Sequence, residues 1–286
     1  MSKPKILVTG AGGQVGRELK LCSALFPQFE FIFTTREDLC IEQFELVRNY
    51  FKGLHPQYCI NCAAYTAVDK AEEQRELAFL INGESVGVLA AVCNLFETKL
   101  IHISTDYVFN GRGTEPYREE DPTEPVNTYG ASKLLGEELA LNNNPNPIII
   151  RTSWVYSEFG HNFVKTMVRL MKERDSINVV NDQCGSPTYA ADLAVAILSM
   201  ISSGKWQPGI YHYSNEGVIT WFQFAVAIRQ IIGSNCQVNP IASSEYPTPA
   251  KRPAYSVFEK DKIKSVYNLN IPFWKDSLEK CLHQLK

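Results

Sequence analysis

Short apolar runs alternate with longer segments of helical spacing through the first half of the chain. Residues 5–10 (Lys-Ile-Leu-Val-Thr-Gly) form a brief apolar run closed by glycine, which predicts a buried strand. Residues 14–25 carry apolar positions at helical spacing, 29–35 read as a second strand, 41–51 as a helix and 58–64 as a third strand. The pattern continues with a long helix over 82–96, a strand over 100–104, a helix over 125–141 and a strand over 147–153. Strands alternating with helices predict an α/β fold, a doubly wound parallel sheet with helices on both faces.

Beyond residue 153 the alternation loosens. Helical spacing returns over 162–172, 189–201, 221–232 and 274–284, with short strands over 177–180 and 210–214. A proline-rich loop carries residues 246–253. The division that follows is a nucleotide-binding domain over 1–153 and, over 154–286, mainly a smaller substrate-binding lobe with some segments returning to the first domain. No internal repeat or low-complexity linker interrupts the chain.

Composition narrows the function classes. Of 286 residues, 45% are hydrophobic and 21% charged, and the net charge is −3 without a Lys/Arg run. Nucleic acid and anionic membrane are therefore poor expected partners. No signal-peptide pattern and no 18-residue apolar stretch is read from the sequence, so the expected location is cytoplasmic and no membrane span is expected. Eight scattered cysteines suit free thiols in a reducing compartment. Cys59 and Cys62 have C-x-x-C spacing but lie in a strand-like run, whereas redox pairs open a helix. The five histidines lack zinc-type spacing, and no metal is expected.

Candidate chemistry sits at the predicted strand ends. Gly10, Gly13 and Gly16, with Gln14 and Val15 between the last two, form a G-x-x-G-x-x-G turn between the first strand and first helix. Such glycines let the backbone approach a pyrophosphate seated on a helix N-terminus, the Rossmann-type arrangement for a dinucleotide. The second strand ends at Thr35-Arg36, with no carboxylate until Glu37. A hydroxyl and a guanidinium favour the 2′-phosphate of NADPH, with NADH possible; alternatively Arg36 is an ordinary solvated loop residue. Asp38 and Leu39 fall near the expected adenine position. Ala63, Ala64 and Tyr65 close the third strand with side chains small enough to admit a nucleotide, although close strand-helix packing explains the alanines as well.

Tyr129 and Lys133 lie four residues apart on a predicted helix and so share one face. A neighbouring ammonium lowers a phenol's pKa. Tyr129 could then protonate a substrate oxygen that Thr105, in the run Ser104-Thr105-Asp106-Tyr107, also hydrogen-bonds. Both groups would also lie against the cofactor.

Taken together, these motifs resemble the extended short-chain dehydrogenase/reductases. The stretches Ala-Tyr-Thr-Ala-Val-Asp-Lys-Ala-Glu (64–72), Ser-Thr-Asp-Tyr-Val-Phe (104–109), Arg-Thr-Ser-Trp-Val-Tyr (151–156) and Asn-Asp-Gln-Cys-Gly-Ser-Pro-Thr (181–188), with Arg252-Pro253, narrow the resemblance to the dTDP-4-dehydrorhamnose reductase family. The resemblance implies reduction of a 4-keto group on a dTDP-linked 6-deoxysugar to give dTDP-L-rhamnose, with Thr105, Tyr129 and Lys133 as the catalytic set. The expected assembly is a monomer or homodimer. Ser104, Thr105, Trp154, Asn162 and Arg252 are the candidate sugar-nucleotide contacts, Trp154 by stacking and Arg252 by pairing with a diphosphate, unless Arg252 only braces its loop. Asp69-Lys70 reads as a helix start with solvated charges. Some relatives hold magnesium between subunits; Glu18 could fill one such position, but no partner carboxylates stand out. The competing readings are a related nucleotide-sugar epimerase or 4,6-dehydratase, and a non-catalytic NADP-binding regulatory subunit.

Overall fold

The computed structural model describes residues 3–285. The first half contains β1 (Lys5–Thr9), α1 (Gln14–Cys22), β2 (Glu30–Thr34), α2 (Phe44–Leu54), β3 (Tyr58–Asn61), α3 (Val68–Ala71), α4 (Arg75–Phe79), α5 (Ser85–Leu95), β4 (Lys99–Thr105), α6 (Thr128–Asn143) and β5 (Ile148–Thr152). Next come β6 (Val155–Tyr156), α7 (Phe163–Glu173), β7 (Ser176–Val180), β8 (Cys184–Gly185), β9 (Thr188–Tyr189) and α8 (Ala190–Ser202). The chain finishes with β10 (Gly209–Tyr213), β11 (Ile219–Thr220), α9 (Trp221–Ile232), β12 (Gln237–Ile241), α10 (Asp261–Tyr267) and α11 (Trp274–Gln284).

Six parallel strands make the central sheet in the order β10-β5-β4-β3-β1-β2. Their side chains alternate between two cores, as the period of a strand requires. Ile6 and Val8 face the layer that holds Leu19 of α1 and Leu193 and Ile197 of α8. Leu7 faces the opposite layer, with Val47 of α2, Leu89 of α5 and Ala140 of α6. Both faces are covered, which is why the strands read as continuous apolar runs. A separate core gathers Val164 and Met167 of α7, Phe224 and Ile228 of α9 and Leu278 of α11. The later half also feeds the first body: β10 closes one edge of the sheet, and α8 packs against α1.

Three differences from the sequence pattern have physical reasons. The helix expected to begin at residue 82 begins at Arg75 and runs to Leu95 through a π turn at Leu80–Glu84. At 21 residues it is long and apolar enough to cross a membrane, which corrects the expectation that no such stretch exists. Its apolar face instead lies in the core beneath the sheet, with Val86, Leu89, Ala90 and Cys93 fully buried. Strand β12 has Pro240 inside it, a residue that argues against a central strand. It pairs β7 alone among the described residues, so a missing backbone donor is tolerated there. Helix α10 is too short for periodicity to reveal it.

Candidate active site

Gly10 ends β1 with φ +67°, and a Cβ there would stand 2.5 Å from the backbone nitrogen of Ala63. At Gly16 a Cβ would meet the Gly10 carbonyl oxygen at the same distance. Only glycine permits this close turn between β1, the end of β3 and the start of α1. Gly13 is the extended residue before α1, and its side contributes Gly13, Gln14 and Val15 to a cleft of about 560 Å³. These features fit a dinucleotide's pyrophosphate at a helix N-terminus.

The end of β3 is pinned from below. The Asn61 side-chain oxygen accepts the Ala63 N–H at 3.2 Å, and Asn82 both accepts from the Tyr65 N–H at 2.8 Å and donates to the Tyr65 carbonyl at 3.0 Å. Asn82 reaches there from the π turn and also donates to Ser132 of α6 at 3.0 Å. Ala64 lines the cleft, whereas the Tyr65 hydroxyl turns away to Gln74. After β2, Asp38 accepts from the Thr35 N–H at 2.9 Å, and Arg36 pairs with Glu42 at 2.7 Å. Leu39 is a core residue packed near Ile41 and Val47, so it can offer a cofactor only backbone.

Opposite the glycine turn, α6 delivers Tyr129 and Lys133. Its start is fixed three ways: Asn127 caps the Gly130 N–H at 2.7 Å, Asn127 donates to the Lys251 carbonyl at 2.7 Å, and Thr128 donates to Glu72 from both backbone and side chain. Thr105 closes β4, and its hydroxyl donates to Asp106 at 3.0 Å while accepting the Tyr107 N–H at 3.2 Å. The Tyr107 ring packs edge-on against Tyr129 at 5.6 Å.

The electrostatics differ from expectation. Lys133 was expected to lower the Tyr129 pKa; instead burial pushes the phenol up to about 12, opposed by hydrogen bonding from Thr105. The Lys133 ammonium is turned elsewhere, donating to the Ile103 carbonyl at 2.7 Å with His102 at 3.3 Å, and burial brings its own pKa down to about 8. Tyr129 is thus held in its protonated form at neutral pH. Sequence reasoning missed Asp106, a cleft-lining residue whose carboxyl burial raises to about 7, opposed by hydrogen bonding from Ser256 and Thr105.

The remaining candidates divide between contact and support. Ser104 lines the cleft, but its hydroxyl donates to Glu137 at 2.5 Å, within the buried Arg151–Glu137 ion pair. Asn162 caps α7 by accepting the Lys165 N–H, and its amide donates to Gln14 at 2.8 Å and to the Ser157 and Phe159 carbonyls. Asn162 therefore joins the rim of the second lobe to the glycine turn. Trp154 has φ +48°, a left-handed conformation rarely adopted by bulky residues, and its indole lies flat on Trp221 with ring centroids 3.5 Å apart. Trp221, unmarked by the sequence reading, lines both the cleft and an adjoining pocket of about 390 Å³.

Arg252 lines that second pocket rather than the cleft. Asp69 grips it with both carboxylate oxygens, at 3.0 and 2.8 Å, and also accepts the Ala250 N–H. Asp69 lies in the first turn of α3, as expected, but its partly solvated carboxylate is also paired with Arg252. Glu18, on α1, is itself buried. Burial first, then Glu158 and Asp192, raise its carboxyl to about 8. Among the described residues no three His, Cys, Asp or Glu side chains are placed to hold a metal ion. All eight cysteines are free, and burial pushes the Cys62 thiol up to about 12, which disfavours a reactive thiolate.

Comparison with known proteins places these features in a wider set. Residues 4–286 match the family described as RmlD substrate binding domain. The chain is 42% identical to the spore coat polysaccharide biosynthesis protein SpsK of Bacillus subtilis, covering 98% of this chain and 97% of that one. It is 39% identical to a dTDP-4-dehydrorhamnose reductase of Burkholderia thailandensis, over 98% and 99% of the two chains. Among solved structures, a dTDP-4-dehydrorhamnose reductase of Bacillus anthracis in complex with NADP superposes with a TM-score of 0.94 at 39% identity, covering 99% of this chain and all of that one.

Proposed function

The chain belongs to the RmlD substrate-binding family, and from that membership and the site geometry we infer that it is a dTDP-4-dehydrorhamnose reductase. It reduces the 4-keto group of dTDP-4-dehydro-6-deoxy-L-mannose to give dTDP-L-rhamnose, using NADP(H). The observation that carries this reading is the convergence of Thr105, Tyr129 and Lys133 with the glycine turn and Trp154 on one cleft.

NADP(H), when bound, supplies the hydride for the carbonyl carbon. The Gly10–Gly16 turn would hold its pyrophosphate, and Thr35 and Arg36 stand after β2 where a 2′-phosphate would be met. Arg36 would exchange its Glu42 partner for the phosphate. Lys133 would hold the nicotinamide ribose. Thr105 orients the keto oxygen and stabilises charge developing on it. Tyr129, whose buried phenol is protonated throughout the neutral range, donates the proton to that oxygen.

The sugar would rest against Trp154, with its diphosphate directed over Trp221 towards Arg252 and its nucleoside in the second pocket between α7, β7 and the proline-rich loop. In this reading residues 154–286 supply most of the substrate lobe, residues 1–153 most of the cofactor domain, and the protein works in the cytoplasm as a monomer or homodimer. A 4,6-dehydratase would be expected to carry an Asp-Glu pair after the threonine, where this chain has Asp106-Tyr107.

Incubation with enzymatically generated dTDP-4-dehydro-6-deoxy-L-mannose and NADPH should yield dTDP-L-rhamnose, one for each cofactor oxidised. A parallel reaction with NADH reports the cofactor preference. Tight NADPH binding with no turnover of this sugar would reject the reductase in favour of a different nucleotide sugar or a regulatory subunit.

A further inference from the structure

Thr9, Asn61 and His102 occupy one register row across β1, β3 and β4, so their side chains lie on the same face of the sheet. All three are buried. The Thr9 hydroxyl donates to the Asn61 side-chain oxygen at 2.7 Å, and the Ala63 backbone N–H donates to that same oxygen at 3.2 Å. A backbone N–H can only donate, so reversing the Asn61 amide would set its NH2 against the Ala63 N–H. Its nitrogen therefore faces His102 Nδ1, at 3.0 Å. Nδ1 must accept, and burial keeps the ring neutral. The single ring proton then sits on Nε2, which lies 3.3 Å from Lys133 Nζ.

We propose that His102, its tautomer fixed by Asn61, is a positioning residue that presents an N–H rather than a lone pair to Lys133 and thereby restrains the charge on that amine. The neutral amine can accept the Nε2–H, whereas the ammonium meets another donor. Two other groups facing Lys133 work the opposite way: Glu137 on its own helix and the Ile103 carbonyl, which accepts from the amine at 2.7 Å, both favour the cation. Burial and the His102 donor oppose them, which leaves a lysine whose proton is loosely held near neutral pH. The proposal rests on Lys133 serving the site beside Tyr129, and it adds what lies beneath that lysine.

The test uses the full chain without cofactor. Nitrogen NMR of imidazole-labelled protein, with His102 assigned by its loss in His102→Gln, reads the tautomer directly. The expected spectrum has Nδ1 unprotonated and Nε2 protonated. The Asn61→Asp carboxylate would accept a hydrogen bond from Nδ1–H and so swap the tautomer, turning a lone pair towards Lys133. The Lys133 amine, followed by carbon-labelled lysine, should then bind its proton about tenfold more tightly or better. A wild-type ring protonated on Nδ1 overturns the proposal, and so does a swapped tautomer that leaves the lysine titration unmoved. Should Asn61→Asp fail to fold, the wild-type spectrum decides alone. Neither readout depends on turnover, so failure of the reductase assignment would be seen separately.

Discussion

The indole of Trp154 lies on that of Trp221 with the two planes within 10° of parallel; both line the cleft, and Trp221 also lines the neighbouring pocket. Trp154 adopts left-handed backbone to reach that position, so Trp221 is the support that holds a strained residue. Trp221→Ala should raise KM for the sugar nucleotide about three- to tenfold, the worth of one aromatic stack, with a smaller effect on kcat. Steady-state kinetics at varied substrate checks this; an unchanged KM would remove the stack from substrate binding.

Asp69 and Arg252 set a second test. Both side chains are partly solvated, so the pair is worth at most about 1 kcal/mol. Asp69→Asn should therefore weaken sugar-nucleotide binding by about twofold to fivefold and leave NADPH binding intact. The Arg252 hydrogen bonds hold the Asp69 carboxyl below its usual range. The pair's contribution is present above the ordinary carboxylate pKa and lost only as pH falls through the lowered value. The ratio of variant to wild-type KM should then stay flat across neutral pH.

These two relationships also mark where the sequence stops being legible. The glycine turn, Thr105 and the Tyr129–Lys133 spacing are local patterns set by a turn, a strand end and one helix face, and each can be read from a few consecutive residues. Asp69 meets Arg252 across 183 positions, and Trp221 meets Trp154 only because α9 packs beside β6. No periodicity encodes such encounters. Ser104 and Asn162 do line the cleft, yet their polar atoms are spent on Glu137, Gln14 and the cap of α7. The sense of the Tyr129 shift was misread for a related reason: spacing places Lys133 on the same face, but where its ammonium turns is decided by β4.

Glu18 predicts a pH dependence of stability. Its carboxyl is raised from 4.5 to about 8, so between those values the folded chain keeps a proton that the unfolded chain has released. Stability from this group is fully present below the lower value and is lost as pH rises towards the upper one. Glu18→Gln should raise Tm by roughly 2–4 °C at the alkaline end and change it little at the acid end. Thermal unfolding across pH checks this; parallel curves for wild type and variant would show that Glu18 titrates normally.

Loss of the Tyr129 hydroxyl tests the proton-donor assignment most directly. Tyr129→Phe, mixed with NADPH and dTDP-4-dehydro-6-deoxy-L-mannose, should bind the cofactor as the wild type does while turnover falls about 10²- to 10⁴-fold. Cofactor binding by fluorescence and product formation by NMR, measured on the same preparation, give both numbers. Retained binding with turnover lost is the predicted result. Wild-type turnover in the variant would contradict it and remove Tyr129 as the acid.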